Sequence, residues 1–239
     1  MMYSIIGILA AMILLITNGD VLWSRGRELT GTQRCYRRFL LGILSYYMTD
    51  ALWGLLDAYR LTALQFADTS LYFVAMAAAL LFWTQYVISY LESENTFGRV
   101  LYYAGRVFFL LEIAVVAVNF FSPVLFWFDE AGAYHAGFAR YATLGVQILM
   151  FLLTSVYTLY VTSRSEGTMR RRHLTIGLFG TAMMILIAIR WRTPCCRFTP
   201  WAICWAPACC TASWWRMKRR NTAAGWRRPC SASGCKKKS

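Results

Sequence analysis

The stretch that decides the fold is "FADTSLYFVAMAAALLFWTQYVISYL", Phe66 to Leu91. It carries a single acid, Asp68, and no Lys or Arg. About 20 apolar residues in helical form cross the ~30 Å hydrocarbon core of a bilayer. Backbone groups cannot stay unpaired in lipid, so a run of this kind is expected to be helical. The small-residue run from Ala75 to Leu80 inside it marks close helix packing more readily than a ligand path.

Working outward, five more runs of the same character appear. They cover residues 2–17, 39–58, 100–121, 138–161 and 174–190. The whole 239-residue chain is 58% hydrophobic and 15% charged, which is too apolar for an ordinary soluble domain of this length. The reading is an all-α, polytopic membrane helix bundle with six helices in this chain. No cleavable signal peptide is expected, because the first run has no basic flank and no small-residue cleavage site after it.

Loop charges predict the orientation. Arg25, Arg27, Arg34, Arg37 and Arg38 follow the first run, Arg99 follows the third, and Arg164, Arg170, Arg171 and Arg172 follow the fifth. The second loop holds only Arg60, and the fourth holds Asp129 and Glu130 with no Lys or Arg. Basic loops alternate, so loops one, three and five are expected in the cytoplasm and the N-terminus outside. Trp23, Trp53, Trp127, Tyr59 and Tyr134 lie near predicted helix ends, where amphipathic rings favour the headgroup layer.

The last segment breaks this pattern. Residues 1–190 hold 14 Arg against 11 acids, a net +3, whereas 191–239 hold 7 Arg and 4 Lys with no acids, a net +11. The tail also has 7 of the 8 Cys and 6 of the 10 Trp. Its charge therefore says nothing of a nucleic-acid partner for the body of the protein, and none is expected. After six helices a tail of that charge would lie outside the cell, against the rule the other loops obey. A one-nucleotide shift of phase accounts for its composition. Stepped back one base, Cys and Trp codons become Leu, Val or Met codons, and AGG, AAA and AAG become codons for Glu, Lys or Gln. From Cys195 the rephased tail permits a seventh apolar helix followed by an acidic, helix-forming segment, with the shift near Ile189 to Thr193. The other reading is a genuine tail, whose adjacent Cys195–Cys196 and Cys209–Cys210 show no zinc-ligand spacing. The expected organisation is a membrane domain over 1–190 and an aberrant tail over 191–239.

Several segments together resemble a known family. "CYRRFLLGILSYYMTDALWGLLDAYRLTALQFADTSLYFVAMAAALLFWTQYVISYL", "GRVFFLLEIAVVAVNFFSPVLFWFDEAGAYHAGFARY" and "RRRHLTIGLFG" are similar to the N-terminal membrane sensor region of bacterial diguanylate cyclases of the GGDEF type. Related regions precede sensor histidine kinases. The resemblance implies a seven-helix input module of the bacterial inner membrane, a homodimer in the intact family, with a cytoplasmic output beyond the last helix. This chain departs from it by lacking that helix, the linker and the output, so it is expected to be a truncated input module and not itself an enzyme.

No catalytic constellation, cofactor motif or metal-ligand spacing is visible. The candidate signal-sensing residues are ionisable or polar groups at or inside the membrane. Asp50 and Glu112 fall about 11 and 12 residues into their runs, roughly 16–18 Å deep. A charge there costs about 2.5–3.5 kcal/mol and should face the bundle interior. Asp57 shares a helix face with Asp50. These three read either as a polar seam that changes protonation or pairing with a signal, or as structural polar contacts. In the loop "NFFSPVLFWFDEAGAYHAG", Tyr134 and His135, with Asp129 and Glu130, could gather contacts to a small-molecule ligand beside Phe126, Trp127 and Phe128. The plainer reading is a hairpin that caps two helices, its rings serving as interfacial anchors. A rival class is a small permease or channel using Asp50, Asp57 and Glu112 as a cation path, although no inverted repeat supports it.

Overall fold

The computed structural model describes residues 2–24, 29–91, 95–130, 132–164 and 167–192. Among them the chain forms six helices and one small hairpin. In order these are α1 (Met2–Leu22), α2 (Gly31–Ala58), α3 (Thr62–Leu91), α4 (Thr96–Asn119), β1 (Phe126–Phe128), β2 (Tyr134–Ala136), α5 (Phe138–Ser163) and α6 (Gly167–Arg192). The tail beyond Arg192, with the expected seventh helix, lies outside the described residues, and the expected point of the phase shift, Ile189 to Thr193, falls where α6 ends.

The helices outrun the apolar segments that announce them. α2 starts well before Phe39 because Thr30 and Gln33 form a capping box. Thr30 Oγ1 accepts from Gln33 N at 3.4 Å, and Gln33 Oε1 accepts from Thr30 N at 2.9 Å. The first two turns therefore carry Arg34, Arg37 and Arg38 at the polar end of a membrane helix, where Arg37 donates to the Ser24 carbonyl at 3.1 Å. Helices α2 and α3 are joined by a short turn in which Arg60 adopts φ 54°, in the left-handed region.

Helices α2 to α5 are each long and apolar enough to cross a membrane; the apolar parts of α1 and α6 are Gly7–Leu22 and His173–Ile185. The distribution of side chains agrees. Leu41, Met48, Leu52, Leu71, Val107, Leu110, Leu111, Leu149 and Val156 are exposed, while Asn18, Gln65, Asp68, Thr84, Glu112, Gln147 and Thr154 are buried. A soluble protein seldom exposes so continuous an apolar surface. A bundle solvated by lipid does so, and keeps its polar groups inside. The chain is a multi-pass membrane protein.

Helix α3 is the hub, packing against α2, α4, α5 and β1. Small residues let it approach α2: a Cβ at Gly42 would come within 3.1 Å of Ala79 Cα. Trp83, 1% exposed, ties the hub to the far helices. Its Nε1 donates to Thr154 Oγ1 of α5 at 3.3 Å, and its ring lies 4.5 Å from that of Phe179 on α6. The bundle thus has two unlike ends. One carries the α4–α5 hairpin and the α2–α3 turn. The other carries the Arg-bearing starts of α2 and α6.

Candidate functional site

The hairpin is built by a few local devices. Strands β1 and β2 pair antiparallel, with Phe126 opposite Ala136, Trp127 opposite His135 and Phe128 opposite Tyr134. Gly132 closes the turn at φ 80°, which an L side chain rarely adopts. Asp129 holds that turn: its Oδ1 accepts from Ala133 N at 2.7 Å, and its backbone N donates to the Ala133 carbonyl at 3.1 Å.

Asn119, the last residue of α4, fastens the hairpin to the bundle. Its Oδ1 accepts from Leu125 N at 2.7 Å and from Phe126 N at 3.3 Å, and its Nδ2 donates to the Phe126 carbonyl at 3.1 Å. Phe126 is then driven wholly inside, between Phe66 and Phe73 of α3, at ring distances of 5.0 and 5.8 Å. The hairpin is a plug seated on this end of the bundle through Phe126.

Alternation along β2 sends the two sequence-predicted loop residues to opposite faces. Tyr134 faces inward, stacked 6.0 Å from Phe126. His135 faces outward, stacked 5.4 Å from Trp127, with Nε2 3.0 Å from Asp129 Oδ2. Both members of that pair are about half exposed, so it contributes little to stability. The two residues are neighbours in the chain but do not share a site.

The intramembrane carboxylates are also separated. Asp57 is exposed at the end of α2, where its Oδ1 accepts from Gln65 Nε2 at 3.1 Å. Asp50 is half-buried on α2 and has interactions of its own. Glu112 is on α4, 1% exposed, and neither carboxylate oxygen has a hydrogen-bond partner. Helices α2 and α4 both pack on α3, so Asp50 and Glu112 approach the bundle from different neighbours of the hub.

Two further buried polar residues, without a sequence signal, lie on α5. Gln147 on α5 is 1% exposed, and its Nε2 has no acceptor. Arg140 on α5 is 8% exposed; its Nη1 donates to Tyr134 Oη at 3.4 Å, and its guanidinium lies 5.6 Å from that ring's centre. Contacts along the helices fix their heights. Phe66 meets Phe120, and Gly105 faces Leu81 and Thr84, which sets Glu112 level with Val74 to Ala77 of α3. Trp83 meets Phe151 and Thr154, which sets Gln147 level with Met76 to Ala79. Phe97 meets Tyr157, which sets Arg140 level with Ala114, slightly nearer the hairpin than Glu112. At ~1.5 Å per residue, Glu112 lies within about 3–8 Å in height of both Gln147 and Arg140. Neither Glu112 nor Arg140 forms an ion pair among the described residues. Ala75, Met76, Ala77, Ala78 and Ala79 occupy the hub helix at this level. The result is a set of buried polar groups at similar height on α4 and α5, below the seated hairpin.

Asn119 and Arg140 sit at helix ends among apolar and aromatic neighbours, and Gln147 is a lone amide in an apolar run; none is distinctive in spacing. Among the described residues no cluster of three His, Cys, Asp or Glu side chains could hold a metal. Comparison with protein-family models, with curated proteins and with solved structures gives no match.

Proposed function

We propose that this chain is the membrane input module of a bacterial signal-transduction protein. Its hairpin end faces outside the cytoplasm, and its signal is a small molecule or membrane state read beneath the hairpin. The output would be a diguanylate cyclase or histidine kinase domain, reached through a seventh helix that this reading frame loses after α6. The intact protein would act as a homodimer in the inner membrane, with its N-terminus outside, and this chain alone would have no enzymatic activity.

One observation carries the reading. A hairpin fastened by Asn119 and Phe126 sits over a bundle interior in which two buried polar groups, Glu112 and Gln147, have unmet hydrogen bonds. The hairpin end shares helices with the opposite end: α5 runs from Arg140, against Tyr134 of the hairpin, to its packing against α6. Occupancy below the plug would thus bear on the helix that leads to the output. The alternation of Arg-rich and Arg-poor loops supports the orientation.

The test has two parts. Reporter fusions in the 122–137 and 162–173 loops should place the first outside and the second inside. A chain rephased after codon 190 and joined to a diguanylate cyclase domain should raise cyclic di-GMP, and Asn119→Ala should change that level. A hairpin loop found inside, or a rephased chimera indifferent to every change in the plug, would refute the proposal. A second reading, a small permease or channel, is favoured by the buried, unpaired Glu112 alone. It requires cation or proton flux into vesicles that Glu112→Gln and Asp50→Asn abolish.

A further inference from the structure

We propose that the stretch RVLYYAGR, Arg99 to Arg106, on the lipid-facing side of α4 seats an anionic phospholipid, whose phosphate binds the guanidinium groups of Arg99 and Arg106. The proposal needs only the membrane-spanning character of the bundle and stands apart from the input-module reading.

Arg99, Tyr102, Tyr103 and Arg106 stand at i, i+3, i+4 and i+7, so they share one side of α4. Arg99, Tyr103 and Arg106 are exposed, and Tyr102 is half-buried. Around them Val100, Val107 and Leu110 are exposed and apolar, as on a surface solvated by lipid. The Arg106 guanidinium lies 4.5 Å from the centre of the Tyr102 ring, and the Tyr102 and Tyr103 rings are 5.7 Å apart. Side chains on a helix lean toward its N-terminus. That terminus of α4 is at the end opposite the hairpin, so Tyr102 holds Arg106 toward the membrane edge there. The same pairing recurs where α5 ends, with Arg164 4.7 Å from the Tyr160 ring.

Depth and charge balance select the ligand. The 24 residues of α4 span about 36 Å, against ~30 Å of hydrocarbon. Arg99, near the helix start, falls at the edge of that layer. Arg106 starts roughly 10 Å deeper and reaches back about one turn, so its charge remains inside. A charge so placed is stabilised when the headgroup layer dips to meet it. A guanidinium fork takes a phosphate through two parallel N–H donors. No protein carboxylate competes: neither arginine forms an ion pair among the described residues. Helix α4 packs against α3 and α5. Helix α5 has no acid. The only acid of α3, Asp68, lies about 20 Å nearer the hairpin than Leu81 and Thr84, which face Gly105. Glu112 is buried, turned away from this side of α4. Glu92 and Glu94, before α4, lie outside the described residues. Two cations without an acid beside them favour a lipid of net negative charge over a zwitterionic one.

The test uses the full chain in phosphatidylcholine nanodiscs. The probes are phosphatidylglycerol and phosphatidylcholine, each with a photoactivatable diazirine near the top of an acyl chain, and mass spectrometry maps the labelled residues. Labelling of residues 99–110 should favour phosphatidylglycerol at least about fivefold. Arg99→Gln combined with Arg106→Gln should bring that ratio to about one, and should leave the ratio at the starts of α2 and α6 as in wild type. The second readout separates the seat from the net +11 of residues 191–239, which attracts anionic lipid without regard to place. Equal labelling of α4 by the two lipids would overturn the proposal, as would a preference that survives the double substitution. Competition by glycerophosphoglycerol, the headgroup without its chains, would overturn it in favour of a site for soluble anions.

Discussion

Asn119→Ala is the sharpest single perturbation of the plug. The side chain makes three hydrogen bonds to two successive backbone units, at 2.7, 3.3 and 3.1 Å, and is 4% exposed. Alanine leaves the buried Leu125 N–H and Phe126 carbonyl without the Asn119 side chain, and each group so stranded costs about 1–3 kcal/mol. The longer bond to Phe126 N adds less. Allowing for relaxation, the hairpin should lose roughly 2–4 kcal/mol of its resistance to lifting, a factor of about 30–1000 in the open population. Amide hydrogen exchange over residues 122–137, measured by mass spectrometry in nanodiscs, reads that population directly. The protection of α3 and α5 should change little, because the loss is local. Asn119→Asp should be intermediate, since it keeps the acceptor for the two N–H groups but sets a carboxylate oxygen against the Phe126 carbonyl. If Asn119→Ala leaves hairpin protection within about twofold of wild type, Asn119 does not hold the plug.

Other substitutions probe different parts of the plug and the bundle interior below it. Glu112→Met should raise thermal stability by about 1–2 kcal/mol, because it removes a buried, unpartnered carboxylate and fills the space with apolar atoms; a loss of stability would mean that Glu112 has a structural partner. Gly137→Ala should destabilise the hairpin by about 3 kcal/mol, since its Cβ would run into the Val124 carbonyl and the Leu125 backbone; exchange protection equal to wild type would contradict that close approach. His135→Ala should change hairpin protection by no more than about 0.5 kcal/mol, as its pair with Asp129 is half exposed, and a larger effect would show that the outer face of the hairpin bears weight.

The helices were legible because a membrane segment announces itself by length and hydropathy alone, and each apolar run became a helix. Their true ends were less so. The start of α2 depends on the Thr30–Gln33 capping box, a local polar device that a hydropathy scan passes over. The hairpin was legible as a loop with aromatic residues, but not as strands, because Phe126, Trp127 and Phe128 read equally well as interfacial anchors. What separates Phe126 from Trp127 is alternation: one is wholly buried against α3 and the other is exposed. The same alternation splits Tyr134 from His135, which adjacency in the chain had grouped. Glu112 stood out as a charge in an apolar helix, and the structure places it in the interior. The buried Gln147 and Arg140 did not stand out. An Arg near a helix start and a single Gln in an apolar run acquire meaning only once α4 and α5 are set in register on α3.

The input-module reading depends most directly on the codons downstream of α6 in the other phase. The decisive measurement is therefore the nucleotide sequence of the gene from codon 185 to well past the stop. The predicted result is an alternate frame that stays open through an apolar seventh helix and an acidic linker into a cyclase or kinase domain. An alternate frame that closes within a few codons would contradict the input-module reading, and would leave the permease reading of Glu112 as the one to pursue.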